Sequence, residues 1–523
     1  MTPYKAVHCI TDVLARATQC WPDKDAYRFN GQSLSYSQLA DRVGRLTSAL
    51  QSLGVAKGHR VGVFLPQSLE LPVSVYGILG AGAAFVPIDP LAPKERVKEI
   101  LRQCGIRVVV AAPRQARILE QLVEEGLTID GLIGSSASAT IGLSWDDVAA
   151  FQVSAPVPMV EMDIAYIMFT SGSTGKPKGM IHTHANGLIY ADNLIRYHDL
   201  NEHDRFLNLS PLHFDMAIMD HLAALMVGAT TIIVPESVAR LAASLTKLAA
   251  EECASVWYSV PYVMIEMLLK GGMEKHDLSA LRWMIYGGEA FQIKHLRALQ
   301  TALPNARFCN AYGPAETHQV SSFEIGTLSD DEDIVIPIGK PWSTVDVMIV
   351  DENDEPVESG ESGELLVRAE SCMLGYWGDP DRTDSAFRYT DIDGVCRQTF
   401  YRTGDLVSMQ PDTTMYFHGR MDRQIKLRGN RVELDEVEAV LTGHESVADC
   451  AVIKSEDGTR LIAVVALVIP GSFDAQALRN VCKLHLPAYA VPSDFVEVQE
   501  FARTSSLKID RIALARQIKW RES

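Results

Sequence analysis

Ile167-Met168-Phe169-Thr170-Ser171-Gly172-Ser173-Thr174-Gly175-Lys176-Pro177-Lys178-Gly179-Met180 is the stretch on which the fold turns. The apolar run Ile164–Phe169 reads as a buried strand, and it empties into glycines, hydroxyls and two lysines. Glycines let a loop take positive φ and bring backbone N–H groups close to a ligand. Successive N–H groups then form a concavity suited to an anion. Thr170, Ser171, Ser173 and Thr174 add hydroxyl donors, and Lys176 and Lys178 add charge. In this order the string is a loop for a polyphosphate rather than a generic Ser/Thr/Gly surface loop. It is not a Walker A loop, because Gly175-Lys176 is followed by Pro177 and not by Ser or Thr.

Outward from the loop, strands alternate with helices. Leu39, Val43, Leu46 and Leu50 recur at helical spacing within a helical region over 10–60, with Ser35 and Ser37 as N-caps and Gly54 as the stop. Strands are expected at Arg60–Leu65, Ala84–Ile88 and Val108–Ala112, with an apolar helix at Leu69–Gly82 between the first two. After the loop come helices near 185–196 and 216–227, and strands near 206–209, Thr230–Val234, Ser255–Ser259 and Trp283–Gly288. This alternation predicts an α/β fold with parallel sheets. Beyond about 330 short strands such as Val345–Val350 and Gly363–Arg368 predict a β-rich subdomain. From 423 a charged segment mixes helix (Glu433–Leu441) with strand (Cys450–Ile453, Leu461–Val468). We place a boundary at Gly419-Arg420-Met421-Asp422, giving an N-terminal domain of 1–421 and a C-terminal domain of 422–523.

The chain has 523 residues and a formal net charge of -18. An acidic balance argues against nucleic acid as a partner, which wants a basic face. No apolar run is long enough to span a membrane, and the N-terminus lacks the apolar core of a signal peptide. Nine scattered cysteines without a C-x-x-C pair fit reduced thiols. Together these predict a cytoplasmic protein. His182 and His184 sit two apart, the wrong spacing for one metal on a helix, and read as local structure.

Four further strings carry chemistry: Asn310-Ala311-Tyr312-Gly313-Pro314-Ala315-Glu316-Thr317, Tyr401-Arg402-Thr403-Gly404-Asp405-Leu406, Gly419 through Leu434, and Leu507-Lys508-Ile509-Asp510-Arg511. The first offers an aromatic platform and a hard carboxylate for Mg²⁺. The second offers a carboxylate acceptor for two ribose hydroxyls. With the loop, and in this order, they resemble the adenylate-forming superfamily: acyl- and aryl-CoA synthetases, luciferases and the adenylation domains of nonribosomal peptide synthetases. The resemblance runs from Leu34-Ser35-Tyr36 through Gly80–Pro90 to Lys508.

The resemblance implies a large N-terminal domain of layered parallel sheets plus a β-rich subdomain, and a small mobile α+β C-terminal domain hinged at Asp422. It implies activation of a carboxylic acid by ATP with Mg²⁺, release of pyrophosphate, and transfer of the acyl group to a thiol. Thr170, Ser171, Gly172, Ser173, Thr174, Gly175 and Lys178 would hold the phosphates. Tyr312 would stack on adenine against Gly287, Gly288 and Glu289, with Asn310, Ala311, Gly313 and Thr317 completing that site. Glu316 would hold Mg²⁺. Asp405 would bind the ribose, with Arg420 beside it. Lys508 would bridge the acid carboxylate and the α-phosphate, so Lys508, Thr170 and Glu316 are the expected catalytic residues. Two positions depart from the pattern: Ser506-Leu507 stand where Asn-Gly is usual, and Asp435 where Gly is usual.

His213-Phe214-Asp215-Met216 resembles the peptide-synthetase substrate motif, in which the Asp pairs with an amino acid's ammonium. Asp215 as a helix N-cap is the alternative. The other expected wall residues are Met216, Met219, Tyr258, Met284, Tyr286, Gly287, Ala311, Gln319 and Val320, with Lys508. Their bulk favours a small or slender, uncharged amino acid, whether α-, β- or imino. No carrier-protein segment follows Lys508, so a stand-alone enzyme is expected. Its partner would be a discrete carrier protein with a phosphopantetheine thiol, in a biosynthetic pathway of the nonribosomal peptide or polyketide type. Free CoA is the alternative acceptor, as for an acyl- or aryl-CoA ligase. An inactive binding homologue is a further alternative.

Overall fold

The computed structural model describes residues 7–134, 141–170, 177–328, 335–392, 396–421, 423–455, 457–469, 472–502, 509 and 514. Ser171 to Lys176, Asp422 and Ser506 to Lys508 lie outside them, and with them the expected phosphate loop, hinge and bridging lysine. The chain resolves into two compact units. One comprises Met1–Pro90, Gln103–Met168 and Gly179–Met421; the other comprises Leu91–Arg102, Phe169–Lys178 and Asp422–Ser523.

The first unit is built on three sheets. The strands of an eight-stranded sheet run in the order Gly375–Tyr376, Lys178–Thr183, Ile164–Thr170, Ala84–Pro87, Arg60–Phe64, Val108–Ala111, Gly131–Ile133, Ile141–Leu143. A nine-stranded sheet has a parallel centre of Asp25–Phe29, Thr230–Ile233, Arg205–Asn208, Val256–Ser259, Trp283–Gly287 and Arg307–Tyr312. Val345–Val350, Ser362–Ala369, Cys396–Met409, Phe387–Ile392 and Met415–Arg420 form the antiparallel β-rich subdomain.

The central strands are buried on both faces and read as continuous apolar runs, as parallel strands covered by helices must. The helix Glu70–Gly80 is buried along its whole length from Leu71, which is why it carries no polar stripe. Ser35 caps the helix Tyr36–Ser52: its Oγ accepts from Gln38 N at 3.2 Å, and Gln38 Oε1 accepts from Ser35 N at 2.9 Å. Two expectations are corrected. Region 10–60 is not helical throughout, because Asp25–Phe29 and Gln32–Ser35 form a hairpin turning at Asn30 and Gly31, both at positive φ. The helix near 216–227 is interrupted: Met219–Ala223 is a π-helical turn between Met216–Ile218 and Ala224–Val227.

In the second unit Gln424–Leu427 and Asn430–Glu433 form a hairpin. Val447–Lys454, Leu461–Leu467 and Asp494–Val498 form a sheet backed by the helices Leu434–Thr442 and Ala475–His485. Asp435 lies in the first turn of Leu434–Thr442, where a negative charge suits the helix dipole, and it pairs with Arg423. That gives the departure from Gly a local reason.

Candidate active site

Strand parity sorts the expected residues. Tyr258, Ile285 and Cys309 are aligned across three parallel strands, as are Trp257, Met284 and Phe308, while Gly287 pairs with Ala311. Side chains alternate faces along a strand. One face therefore carries Tyr258, Ile285, Gly287 and Ala311, and Tyr258, Ile285 and Ala311 share a core with Met219. The other carries Trp257, Met284, Tyr286 and Phe308, packed in a separate core with Leu296 and Leu299. Met284 and Tyr286 thus face away from Tyr258, on the opposite side of the strand from the expected wall, and Ile285, which the sequence reading did not name, faces with it. The alternation of Trp283–Gly287 carries that signal, since Gly287 and Ile285 must point the same way.

Gly287 permits this face to be used. A Cβ there would lie 2.7 Å from the Ala311 carbonyl oxygen and 3.2 Å from the Tyr258 hydroxyl. Val320 packs instead with Ile338, Leu365, Val407 and Met415, against the flank of Tyr312. Gln319 is buried, donating Nε2 to Ser321 O at 3.3 Å.

Asp215 is half-buried and begins the short helix Met216–Ile218, its Oδ1 accepting from Met216 N at 3.0 Å. An ordinary N-cap takes the N–H two or three residues on, so this one is short-ranged. Its charge reaches three buried tyrosines, Tyr166, Tyr190 and Tyr258, and together with burial holds their hydroxyls well above the usual phenol range. Met216 is half-buried with its sulfur 3.8 Å from Ser210 Oγ.

Behind Tyr166 lies a stack the sequence did not announce. His318 Nε2 and the Tyr166 hydroxyl are 2.7 Å apart, and the His318 ring lies between His182 at 4.4 Å and Tyr190 at 4.7 Å. Burial pushes His182 down to about 3 and His318 well below the usual range. His184 accepts from Ile10 N at 3.2 Å, so both histidines of the pair serve local structure.

On the other side of the Arg307–Tyr312 strand, Tyr312 donates its hydroxyl to Asp405. Arg420 donates to Asp405 Oδ1 at 2.7 Å and to Thr403 O at 2.9 Å. Asn310 donates Nδ2 to Pro337 O at 2.8 Å. Gly288 stands at φ 87° next to Glu289. The turn after Tyr312 has room only for glycine, because a Cβ on Gly313 would come within 1.9 Å of His318 O. Thr317 Oγ1 donates to His318 O at 2.9 Å, and Met373 N donates to Glu316 O at 2.7 Å.

Glu316 is fully buried, with Tyr376 donating its hydroxyl to Oε1 at 3.1 Å. One buried carboxylate is the protein donor magnesium takes when phosphate oxygens and water supply the rest. No cluster of three or more His, Cys, Asp or Glu offers a dedicated cage among the described residues. Thr170 ends the strand Ile164–Thr170 with a buried Oγ1 that has no hydrogen-bond partner among the described residues. In the second unit, Lys178 Nζ stands 3.5 Å from Glu433 Oε1.

No helix among the described residues is long and apolar enough to cross a membrane. Residues 14–377 match the AMP-binding enzyme family, and residues 436–508 match the AMP-binding enzyme C-terminal domain. The L-proline--[L-prolyl-carrier protein] ligase of Pseudomonas fluorescens is 32% identical over 95% of this chain and 97% of its own length. Surfactin synthase subunit 1 of Bacillus subtilis is 30% identical over 98% of this chain, which spans 14% of that protein. The solved structure of holo-PA1221, an NRPS protein containing adenylation and PCP domains, superposes with a TM-score of 0.81 at 26% identity, covering 98% of this chain and 84% of that one. Family match, full-length relative and fold agree: the chain belongs to the AMP-binding enzyme family and is an AMP-forming ligase of the adenylate-forming superfamily.

Proposed function

We propose that the protein joins a small or slender, uncharged amino or imino acid to AMP and passes it to the phosphopantetheine thiol of a discrete carrier protein. ATP is a substrate. The acid's carboxylate oxygen attacks the α-phosphorus, the bond from the α-phosphorus to the α,β-bridging oxygen breaks, and pyrophosphate leaves with its β,γ-bridge intact. The thiolate then attacks the acyl carbon and AMP leaves. Positioning and charge stabilisation carry most of such a reaction. Tyr312 is the adenine platform and Asp405, steadied by Arg420, takes the ribose hydroxyls. Glu316 would hold Mg²⁺, which supplies charge neutralisation for the phosphates. Thr170 with Ser171, Gly172, Ser173, Thr174, Gly175 and Lys178 takes the phosphates. Lys508 bridges the carboxylate and the α-phosphate, and Asp422 is the hinge.

The observation that carries the choice of acid is Asp215. Its charge bears on Tyr166, Tyr190 and Tyr258, on the face that also holds Gly287 and Ala311. A carboxylate at that wall has an evident use when the substrate brings a cation, since opposite charges attract more strongly where the surroundings reduce solvent screening. The named activity of the Pseudomonas relative, prolyl loading of a carrier protein, agrees in kind.

The test is ATP–pyrophosphate exchange across α-amino, β-amino, imino, fatty and aryl acids, with Asp215→Asn in parallel. Signal confined to nitrogen-bearing acids and lost in Asp215→Asn is expected. Signal from a nitrogen-free acid would move the protein to the CoA-ligase branch. An unchanged Asp215→Asn would return that residue to its capping contact with Met216.

A further inference from the structure

The strand Ser362–Ala369 does not run in regular register against Cys396–Met409. Glu364 stands opposite Leu406 and Leu366 opposite Arg402, so Leu365 alone faces Thr403, Gly404 and Asp405. Such a bulge bends its strand and re-aims side chains, and bulges are frequent beside active sites. Here the displaced residues include the carboxylate assigned to the ribose. Gly404 stands at φ 68°, a left-handed conformation that glycine takes without steric cost.

A ladder that sets Thr403, Gly404 and Asp405 against Leu365 does not by itself fix which of them points inward. Side chains alternate faces, so a slip of one residue would turn Asp405 to the other side. Side-chain bonds fix the register instead. Thr403 Oγ1 donates to Leu365 O at 2.7 Å and accepts from Asp405 N at 3.0 Å. Glu364 Oε1 accepts from Gly404 N at 3.2 Å. Its Oε2 accepts from Arg402 Nε at 3.1 Å and from Arg402 Nη2 at 2.7 Å, and Arg402 also donates to Asp354 at 2.7 Å. The Arg402 pair thus holds one oxygen of Glu364 and leaves the other aimed at the bulge. Glu364 and Thr403 are both buried.

The far side of the bulge is tied to the end of the strand Met415–Arg420. Gly404 O accepts from Met421 N at 2.8 Å, and Thr403 O accepts from Arg420 Nη1 at 2.9 Å. The same Arg420 nitrogen holds Asp405 Oδ1, and Tyr312 donates to Oδ2. Asp405 is therefore gripped at its carboxylate by Tyr312 and Arg420, and at its backbone by the bonds that Thr403 and Glu364 make.

We propose that Glu364 and Thr403 are positioning residues for the ribose: they hold the Thr403-Gly404-Asp405 bulge in the register that turns the Asp405 carboxylate to the ribose hydroxyls, and so carry the selection of a ribonucleotide. The inference rests on Asp405 taking those hydroxyls. The test is calorimetric titration of the full chain with ATP and with 2′,3′-dideoxyATP, which keeps the adenine and the triphosphate and lacks both hydroxyls. Wild type is compared with Thr403→Val, Thr403→Ser and Glu364→Gln. Valine keeps the volume of threonine and loses the hydroxyl. Glutamine keeps the shape of Glu364, but its single oxygen can face Arg402 or Gly404, not both. Hydrogen bonds to a charged group put the wild-type preference for ATP at about tenfold or more. In Thr403→Val and Glu364→Gln, ATP binds about tenfold more weakly while 2′,3′-dideoxyATP keeps its wild-type affinity, so the preference largely disappears. Thr403→Ser, which keeps the hydroxyl, retains the preference. A support that served only the fold would weaken both nucleotides alike or neither, and either result in Thr403→Val or Glu364→Gln overturns the proposal. If Thr403→Val fails to fold, Glu364→Gln decides alone. A wild type that binds the two nucleotides equally refutes the assignment of Asp405, and the positioning role falls with it. A wild type that discriminates beside variants that discriminate equally well leaves Asp405 in place and removes Glu364 and Thr403 from the ribose.

Discussion

Replacing Tyr312 by Phe keeps the ring and removes the hydroxyl that donates to Asp405. Asp405 is 4% exposed and retains Arg420 at 2.7 Å, so the carboxylate stays paired and only one of its oxygens loses a donor. A hydrogen bond to a charged group contributes about 1.5–3 kcal/mol, and the surviving Arg420 pair puts this one near the low end. About 1.5 kcal/mol corresponds to roughly tenfold in affinity. A carboxylate offers about four lone-pair sites. The Tyr312 hydroxyl and the ribose hydroxyls therefore need not compete, and the loss expresses itself as a misoriented carboxylate rather than a freed one. Tyr312→Leu removes the platform too, adding about 1–3 kcal/mol of stacking loss. Calorimetric titration with ATP should then give Phe about tenfold weaker than wild type, and Leu a further tenfold weaker or more, with the acid KM unchanged in the Phe variant. Leu no worse than Phe would refute the stacking role. Phe equal to wild type would refute the claim that the hydroxyl organises Asp405.

Further expectations follow from the same geometry. Gly287→Ala places a methyl 2.7 Å from the Ala311 carbonyl and 3.2 Å from the Tyr258 hydroxyl, so the acid KM should rise at least tenfold while ATP binding changes less; an unchanged KM would mean the acid does not lie on that face. Met284→Ala should lower thermal stability by about 2–5 kcal/mol with the acid profile intact, because it empties the core shared with Trp257 and Phe308, whereas Ile285→Ala should broaden the range of acids accepted. The reverse pattern, selectivity moving with Met284, would invalidate the parity assignment. Stability against pH isolates Asp220: its raised pKa means the folded state holds a proton the unfolded chain has lost, so stability falls as pH rises from about 4 to about 8, at up to about 1.4 kcal/mol per unit. Unfolding midpoints for wild type and Asp220→Asn should diverge in slope over pH 6–8 and run parallel above 8.

The sheet strands were legible because parallel strands covered on both faces must be apolar runs, and Arg60–Phe64, Val108–Ala111 and Trp283–Gly287 are such runs. The hairpin Asp25–Ser35 was not, since Arg28, Gln32 and Ser33 break the apolar pattern and the turn uses Asn30-Gly31, a short signal inside a helical neighbourhood. Asp405, Glu316 and Tyr312 were named from motif strings, but no string links Tyr312 to Asp405, which meet across a separation of 93 residues. Met284 and Tyr286 were placed by motif alignment, and a slip of one residue along a strand exchanges its two faces. The stack of His182, His318, Tyr166 and Tyr190 was invisible because its members come from two strands, a helix and a turn, and only packing unites them.

That stack bears on how the acid is told apart from others. Imidazoles beside a carboxylate usually suggest a charge partner, yet burial holds His182 down to about 3 and His318 well below its usual range. Between pH 5 and 9 both rings are neutral, so the Tyr166–His318 pair offers hydrogen bonding and bulk but no positive charge to the face that Asp215 addresses. On the proposed reading the carboxylate selects for the substrate's charge while the strand face bearing Tyr258, Ile285 and Gly287 selects for its size: Asp215→Asn should lose amino acids by a large factor at pH 7 without gaining fatty acids, because that face is untouched. Were a histidine in the stack charged, the preference would instead invert on acidification through pH 6. Exchange measured at pH 5.5 and 7.5 separates the two, and the buried geometry requires the preference to be the same at both.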